Sequence, residues 1–312
     1  MCCSVRFLSS LALALVMLLA CGCRTAPITG RRQLLTISEP NEMQMGVEAY
    51  QEVVRTSPPS ANQQAAEMVN RVGQRIAAVS GRPDYQWEFR LLASPEQNAF
   101  CLPGGKVAVY EGILPICQNE AGLAVVMSHE IGHALARHGG ERMSQRYVLD
   151  AVQSTTSYVT QGQWPQQHAA IMKAYGMGTQ YGIVLPYSRA HESEADHIGL
   201  MLMAKAGYDP SEAPNFWRRF AQSHAGQQPP EFMSTHPADE NRAQALAQLL
   251  PEAISLYQSV PNKIGMGEPL NLANLRTGPV TPASGSQVMP SASPASAGSS
   301  IAAPGLLPAR SP

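Results

Sequence analysis

The sequence predicts an α+β domain of mostly helices, with one small antiparallel sheet placed before a histidine-bearing helix. Three observations predict it. Helical stretches dominate residues 38 to 260, the first two of them apolar on one face and polar on the other, the alternating stretches "YQWEFRLL" and "KVAVY" flank the turn signal "PGG", and no internal repeat is visible.

In chain order, a first helix spans about Pro40 to Arg55 and a second Ala61 to Val79, bounded by "SPPS" and "SGRP". The two alternating stretches follow as strands. Asn119 is placed to cap the next helix, which runs through "VVMSHEIGHALARHGG" and stops at Gly139-Gly140. Residues 141 to 186 are helical in character but weakly patterned, and Gly176, Gly178 and Gly182 loosen their end. That segment is either an irregular helical connection or a lid over a substrate. Ser188 opens a helix ending at Gly207, and "NFWRRFAQS" and "ADENRAQALAQLL" supply two more.

Both ends of the 312-residue chain read as lying outside this core. "MCCSVRFLSSLALALVMLLACGC" carries one positive charge, Arg6, before an apolar run from Phe7 to Ala20, shorter than the roughly 20 residues of a spanning helix. Residues 1 to 20 are therefore expected to be a secretory signal. Leu18-Leu19-Ala20-Cys21 resembles the bacterial lipobox, which makes Cys21 the lipidated first mature residue and residues 21 to 37 an anchored linker. Gly22 follows in place of the aspartate that retains such proteins at the inner membrane, so the expected location is the periplasmic face of the outer membrane. A soluble secreted protein and an uncleaved anchor are the alternatives, and Cys23 fits the acceptor position less well. From Thr277 to Pro312 the chain is mostly Pro, Ala, Ser and Gly with Arg310 as its only charge, a composition that cannot offset its ordering entropy. Residues 261 to 312 are accordingly expected to be a disordered tail. Net charge is −1 and no Arg/Lys run is present, so neither nucleic acid nor nucleotide is an expected partner. Cys101 and Cys117 are the cysteines of the body; in an oxidising compartment they form either a bridge or two buried thiols.

The chemistry centres on "HEIGH". On a helix, His129 and His133 lie on one face about 6 Å apart along the axis, placed to reach a single ion. Two ligands do not complete a site. Catalytic zinc usually takes three protein ligands and leaves a position for water, whose pKa falls to about 7, and Glu130 projects toward that water as a general base. An amphipathic helix carrying histidines by accident, with no metal, is the bland alternative. A third histidine in the metzincin position is absent, because Ala136 and Gly139 stand where that motif needs Gly and His. His138, five residues past His133, points away from the ligand face of a continuous helix and reads as a helix-end residue. "YSRAHESEADHIGLMLMAKAGY" supplies a carboxylate instead: Glu192 and Asp196 are four apart and match the E-x-x-x-D of thermolysin-like gluzincins. There the Glu binds zinc and the Asp accepts the N–H of a ligand histidine. Glu194 falls on another face as a solvated charge, and His168, His191, His197 and His224 have no partner pattern.

Together "HEIGHALARHG", "YSRAHESEADHIGL", "QNAFCLPGGKVAVYEGIL", "THPADENR" and "PITGRRQL" resemble peptidase family M48, including its bacterial lipoprotein branch, over roughly residues 27 to 250. The resemblance implies a gluzincin-type metalloprotease domain over residues 38 to 260. It implies one Zn2+ per chain held by His129, His133 and Glu192, with Glu130 as base and Asp196 behind a ligand. It also implies that Asn98, Ala99 and Phe100 belong to an edge strand on which an extended substrate lies; alternatively Asn98 only shapes a turn. His236 of the H-P motif is implied to lie near the metal, either stabilising the oxyanion or occupying the open position in a resting form, while capping before Pro237 is the local alternative. Arg189 and Arg242 read as organising positions without chemistry. The expected activity is zinc-dependent endoproteolysis of unfolded or misassembled cell-envelope proteins. The alternative is a zinc-containing, latched chaperone or assembly lipoprotein with little proteolysis.

Overall fold

A computed structural model describes residues 23–223, 232, 236 and 242–271. The expected leader, the Cys21 acceptor and the tail from 272 onward lie outside the described residues.

Ordered structure begins before residue 38. Strand β1 (Cys23–Thr25) pairs antiparallel with β2 (Arg32–Leu34), and Ala26, Gln33 and Leu35 are buried, so the segment expected as a linker is built into the domain from residue 23. Helix α1 (Glu39–Thr56) starts at Ser38, whose side chain accepts from the Asn41 N–H, with Pro40 in the first turn. Helix α2 (Gln63–Val79) is capped by Asn62 and buries Ala65, Met68, Val69, Val72 and Ile76, the stripe its helical periodicity requires.

The sheet contains β3 (Glu88–Leu92), β4 (Ala99–Leu102) and β5 (Lys106–Tyr110) in the order β3-β5-β4. It is mixed, not antiparallel throughout. β5 pairs antiparallel with β4 across a tight turn in which Gly104 and Gly105 take φ of +88° and +87°, but it runs parallel to β3. The connection through residues 93–98 carries β4 past the position beside β3, which leaves that position to β5. β4 is consequently an edge strand, paired on one side only among the described residues.

After a short helix α3 (Leu114–Cys117), α4 (Glu120–Leu135) forms the centre of the molecule. Every residue of α4 is buried, so it is a core helix and not a surface amphipathic one. Asn119 caps it as expected, accepting from Gly122 N–H at 2.9 Å. Two further N–H groups of its first turn, Glu120 and Ala121, donate to the carbonyls of Glu268 and Met266 at 3.0 and 3.1 Å. Residues 264–271 are thereby part of the fold, and the expected tail does not begin at 261.

α4 stops at Leu135, short of the expected Gly139-Gly140, because Arg137 adopts φ +54° and turns the chain. Glu42 holds that residue, accepting from Arg137 Nε and Nη2 at 3.0 and 2.7 Å. Helices α5 (His138–Gln163) and α6 (His168–Thr179) make a largely exposed arm. A π-helical turn, Gln180–Val184, leads without a break into α7 (Leu185–Lys205), so Ser188 lies inside a helix and does not cap one. Helices α8 (Glu212–Ser223) and α9 (Arg242–Ser259) complete the described elements. One core joins α2, the sheet, α4, α7, α8 and α9 around Val72, Val109, Met127, Ile198, Phe216 and Leu246.

Candidate active site

α4 and α7 cross with their backbones nearly touching. A β-carbon on Gly132 would lie 2.9 Å from the Ala195 carbonyl oxygen, and one on Gly199 would lie 2.9 Å from the His129 nitrogen. No side chain fits there. This contact sets the Glu192 turn of α7 opposite the His129/His133 face of α4. His129 Nε2 and His133 Nε2 stand 3.1 Å apart, and Glu192 reaches them with Oε2 at 3.3 Å and Oε1 at 3.4 Å. His236 enters from the other side, its Nδ1 3.1 Å from Glu192 Oε2 and 3.4 Å from His129 Nε2. One ligand atom from each of these four buried residues falls within 4.8 Å of all the others.

Such a set of three imidazoles and one carboxylate has the donor chemistry of zinc. Burial opposes charge on Glu192, yet hydrogen bonds from His129, His133 and His236 hold its carboxyl well below the usual range. Burial likewise keeps His133 neutral, the form that ligates a metal. Glu130 is different. It is 3% exposed, its Oε1 has no hydrogen-bond partner among the described residues, and His236 Nε2 stands 3.5 Å away. Burial pushes the Glu130 carboxyl up to about 7, and a cation beside it would act in the opposite direction. A buried, unpartnered carboxylate oxygen next to a ligand ring is the place for a reacting water, so the residues present fit one zinc ion.

Asp196 takes the expected place behind His129, with Oδ1 3.0 Å from His129 Nδ1. Arg242 grips the same carboxylate through Nε and Nη2 at 2.6 and 2.7 Å and lies 3.4 Å over the Trp217 ring. Arg242 thus organises the site, whereas Arg189 is exposed and makes no contact with the cluster among the described residues. His168 bonds to Thr160 and His197 lies 3.8 Å from Glu252, both outside the cluster; His224 is outside the described residues.

Two assignments read from helical phase are overturned. His138 is fully buried and its Nδ1 lies 2.8 Å from His133 Nδ1, because the turn at Arg137 folds the next helix back toward the ligands. Glu194 is not a solvated charge: it accepts from His138 Nε2 at 2.9 Å, from Arg31 Nε at 2.8 Å and from the Thr29 hydroxyl. Beside it the Arg31 guanidinium forks onto Glu141 at 3.0 and 2.7 Å, and Glu141 also accepts from His191 at 2.9 Å. Thr29 and Arg31 lie in "PITGRRQL" and His191 in "YSRAHESEADHIGL", but neither motif gives these side chains a role, and Glu141 lies in none of the quoted motifs.

β4 packs against α4, with Ala99 and Phe100 buried; Asn98 Oδ1 accepts from the Ala99 N–H at 2.9 Å, the turn-shaping role given above as an alternative. Cys101 and Cys117 are free thiols and not a bridge. Cys101 belongs to the edge strand, with Sγ 3.7 Å from the Leu102 carbonyl, whereas Cys117 is sealed in the core below α4, where burial pushes its thiol up.

A helix bearing H-E-x-x-H, crossed by a second helix that lends a carboxylate, is the arrangement of a zinc metalloendopeptidase. The sequence profile of peptidase family M48 matches residues 63–250, and the chain belongs to that family. It is 38% identical over 234 residues to the mitochondrial metalloendopeptidase OMA1 of Schizosaccharomyces pombe, covering 73% of this chain and 66% of that protein. Human OMA1 is 30% identical, across 80% of this chain and 50% of its own length. The beta-barrel assembly-enhancing protease of Escherichia coli is 31% identical, across 70% of this chain and 45% of its own. The chain thus spans about half the length of the human and bacterial relatives and about two thirds of the yeast one.

Proposed function

We propose that this chain hydrolyses peptide bonds in unfolded or misassembled envelope proteins while tethered through Cys21 to the periplasmic face of the outer membrane. The observation that carries the catalytic part is the buried Glu130 carboxylate, whose Oε1 has no hydrogen-bond partner among the described residues, beside four converging ligand side chains. The lipobox-like Leu18-Leu19-Ala20-Cys21 supports the tether, and one relative is named a beta-barrel assembly-enhancing protease. No helix among the described residues is long and apolar enough to cross a membrane.

His129, His133 and Glu192 would hold zinc, which would supply the Lewis acidity that makes water nucleophilic near neutral pH. Glu130 takes the proton from the attacking water as its oxygen bonds to the substrate carbonyl carbon, then returns that proton to the amine as the C–N bond breaks. His236 donates a ring N–H to the developing oxyanion. Asp196 holds the tautomer of His129. The edge of β4 that is unpaired among the described residues receives an extended peptide by strand addition, which recognises backbone and tolerates varied side chains, as an enzyme for unfolded chains requires.

A second reading rests on His236, whose Nδ1 already lies among the ligand atoms. There it latches the site, and the protein acts mainly as a zinc-containing chaperone or assembly lipoprotein. Zinc content and cleavage of unfolded casein, with and without a chelator, separate these readings. Proteolysis requires about one zinc per chain and chelator-sensitive cleavage that falls ~10²–10⁴-fold in Glu130→Gln while zinc is retained. A latch requires His236→Ala to gain activity; a direct catalytic role requires that variant to lose it. Full activity in Glu130→Gln would remove the proposed base from the mechanism.

A further inference from the structure

The two ligand histidines of α4 are supported differently on their far sides. His129 meets a carboxylate directly, with Asp196 Oδ1 3.0 Å from its Nδ1. His133 meets another imidazole, with Nδ1 of His138 2.8 Å from its own Nδ1. Only one hydrogen fits between those nitrogens. For His133 to ligate through Nε2, the atom that faces His129 and Glu192, its proton must sit on Nδ1 and be donated to His138. His138 then carries its own proton on Nε2, and Glu194 Oε2 is in place to accept it at 2.9 Å. Each donor meets an acceptor along the chain, and the reverse arrangement would put a proton on the atom that must bind the ion.

We propose that His138 and Glu194 are positioning residues for the metal centre, and that Thr29 and Arg31 of the N-terminal segment are part of the same device. His138 fixes the tautomer and ring plane of His133, and Glu194 fixes those of His138. Glu194 is held in turn by the Thr29 hydroxyl and by Arg31 Nε at 2.8 Å. Arg31 cannot drift, since its other nitrogens are engaged bidentately by Glu141 at 3.0 and 2.7 Å. The segment before α1 is therefore connected to the proposed ligand His133 through a run of hydrogen-bonded side chains, Arg31, Glu194 and His138. The proposal rests on reading His133 as a metal ligand.

The test uses the full mature chain, with zinc affinity measured by competition against a chromophoric chelator and site geometry read from the visible absorption of the cobalt(II)-loaded protein. His138→Phe is expected to bind zinc ~10–100-fold more weakly and to shift the cobalt spectrum, with unchanged circular dichroism of the metal-free protein. His138→Asn, whose side-chain oxygen can replace the accepting nitrogen, is expected to recover much of that loss. Arg31→Gln is expected to give a smaller loss in the same direction. Wild-type affinity and an unshifted spectrum in His138→Phe would overturn the proposal while leaving the metal site standing. Wild-type zinc affinity in His133→Ala would instead overturn the reading beneath it. Should His138→Phe not fold, nitrogen-15 NMR of the zinc-loaded wild type decides: a proton on His138 Nε2 is the expected result, and a proton on Nδ1 overturns the relay.

Discussion

Helices α4 and α5 follow one another across a single turn, yet they belong to different physical worlds. All sixteen residues of α4 are buried, and it is crossed so closely by α7 that two contact positions admit only glycine. Beyond its first turns α5 is largely exposed, and the arm it makes with α6 presents to water Tyr147, Tyr158 at 82%, Trp164 in the connection, and Met177. Chemistry resides on the first helix and at the root of the second, where His138, Glu141 and Ser144 are still buried. The lesson is that metal-site geometry is maintained by packing and not by helix propensity, because both stretches are helical and only one is rigidly surrounded.

That contrast can be broken or sharpened. The largest effect is expected for Asp196→Ala, which leaves the Arg242 charge buried without its bidentate partner: about 3–5 kcal/mol of stability should be lost in denaturant titration. Replacing Arg242 with Met in the same chain should recover a good part, and its failure to do so would assign the cost to something other than the stranded charge. Gly199→Val comes next. The clash is with the His129 backbone, so about 1–3 kcal/mol should be lost, with weakened zinc binding by competition titration. Unchanged zinc affinity there would separate helix contact from site geometry.

At the root of the arm the effect depends on pH. Burial alone would raise the Glu141 carboxyl, but hydrogen bonds from His191 and Arg31 hold it at about 2, below the ~4.3 of a free glutamate. The folded state therefore binds fewer protons than the unfolded one; the stabilisation is present above about pH 4.3 and is lost as pH falls toward 2. Thermal midpoints of Glu141→Gln and wild type should differ at pH 7, draw together below about pH 4.3 and converge only as pH reaches about 2. A gap that persists in acid would mean that packing, and not charge, is what Glu141 contributes. The smallest effect is expected far out on the arm, where Tyr158→Ser should change stability by no more than about 0.5 kcal/mol. A large loss of stability there would show that the exposed arm is held as firmly as the core.

Much of the metal centre could be read in the sequence because helices fix phase locally. His129, His133, Glu192 and Asp196 are pairs at a spacing of four inside unbroken helices, so a one-dimensional pattern predicts a three-dimensional face. His138 could not be placed that way, since one residue in the left-handed region, Arg137, resets the phase and brings a residue that a straight helix would aim elsewhere back onto His133. Glu194 escapes helical phase for a related reason: its partners Thr29 and Arg31 lie far away in the chain, and no local period records such contacts. The strands were legible from alternation, but their order was not, because alternation says which residues face the core and nothing about which strand lies beside which. Residues 264–271 have no periodicity at all; they are held through backbone carbonyls on the first turn of α4, a role almost any side chain permits.

That return of the chain to α4 has a consequence for biosynthesis. The two histidines and Glu130 leave the ribosome early, whereas Glu192, His236 and the carbonyls of Met266 and Glu268 that close the start of α4 follow later. At ordinary rates of translation the interval is on the order of ten seconds. Until Glu192 follows, the nascent chain carries the proposed base and two of the proposed ligands but lacks the third, so the metal site cannot close on α4 alone.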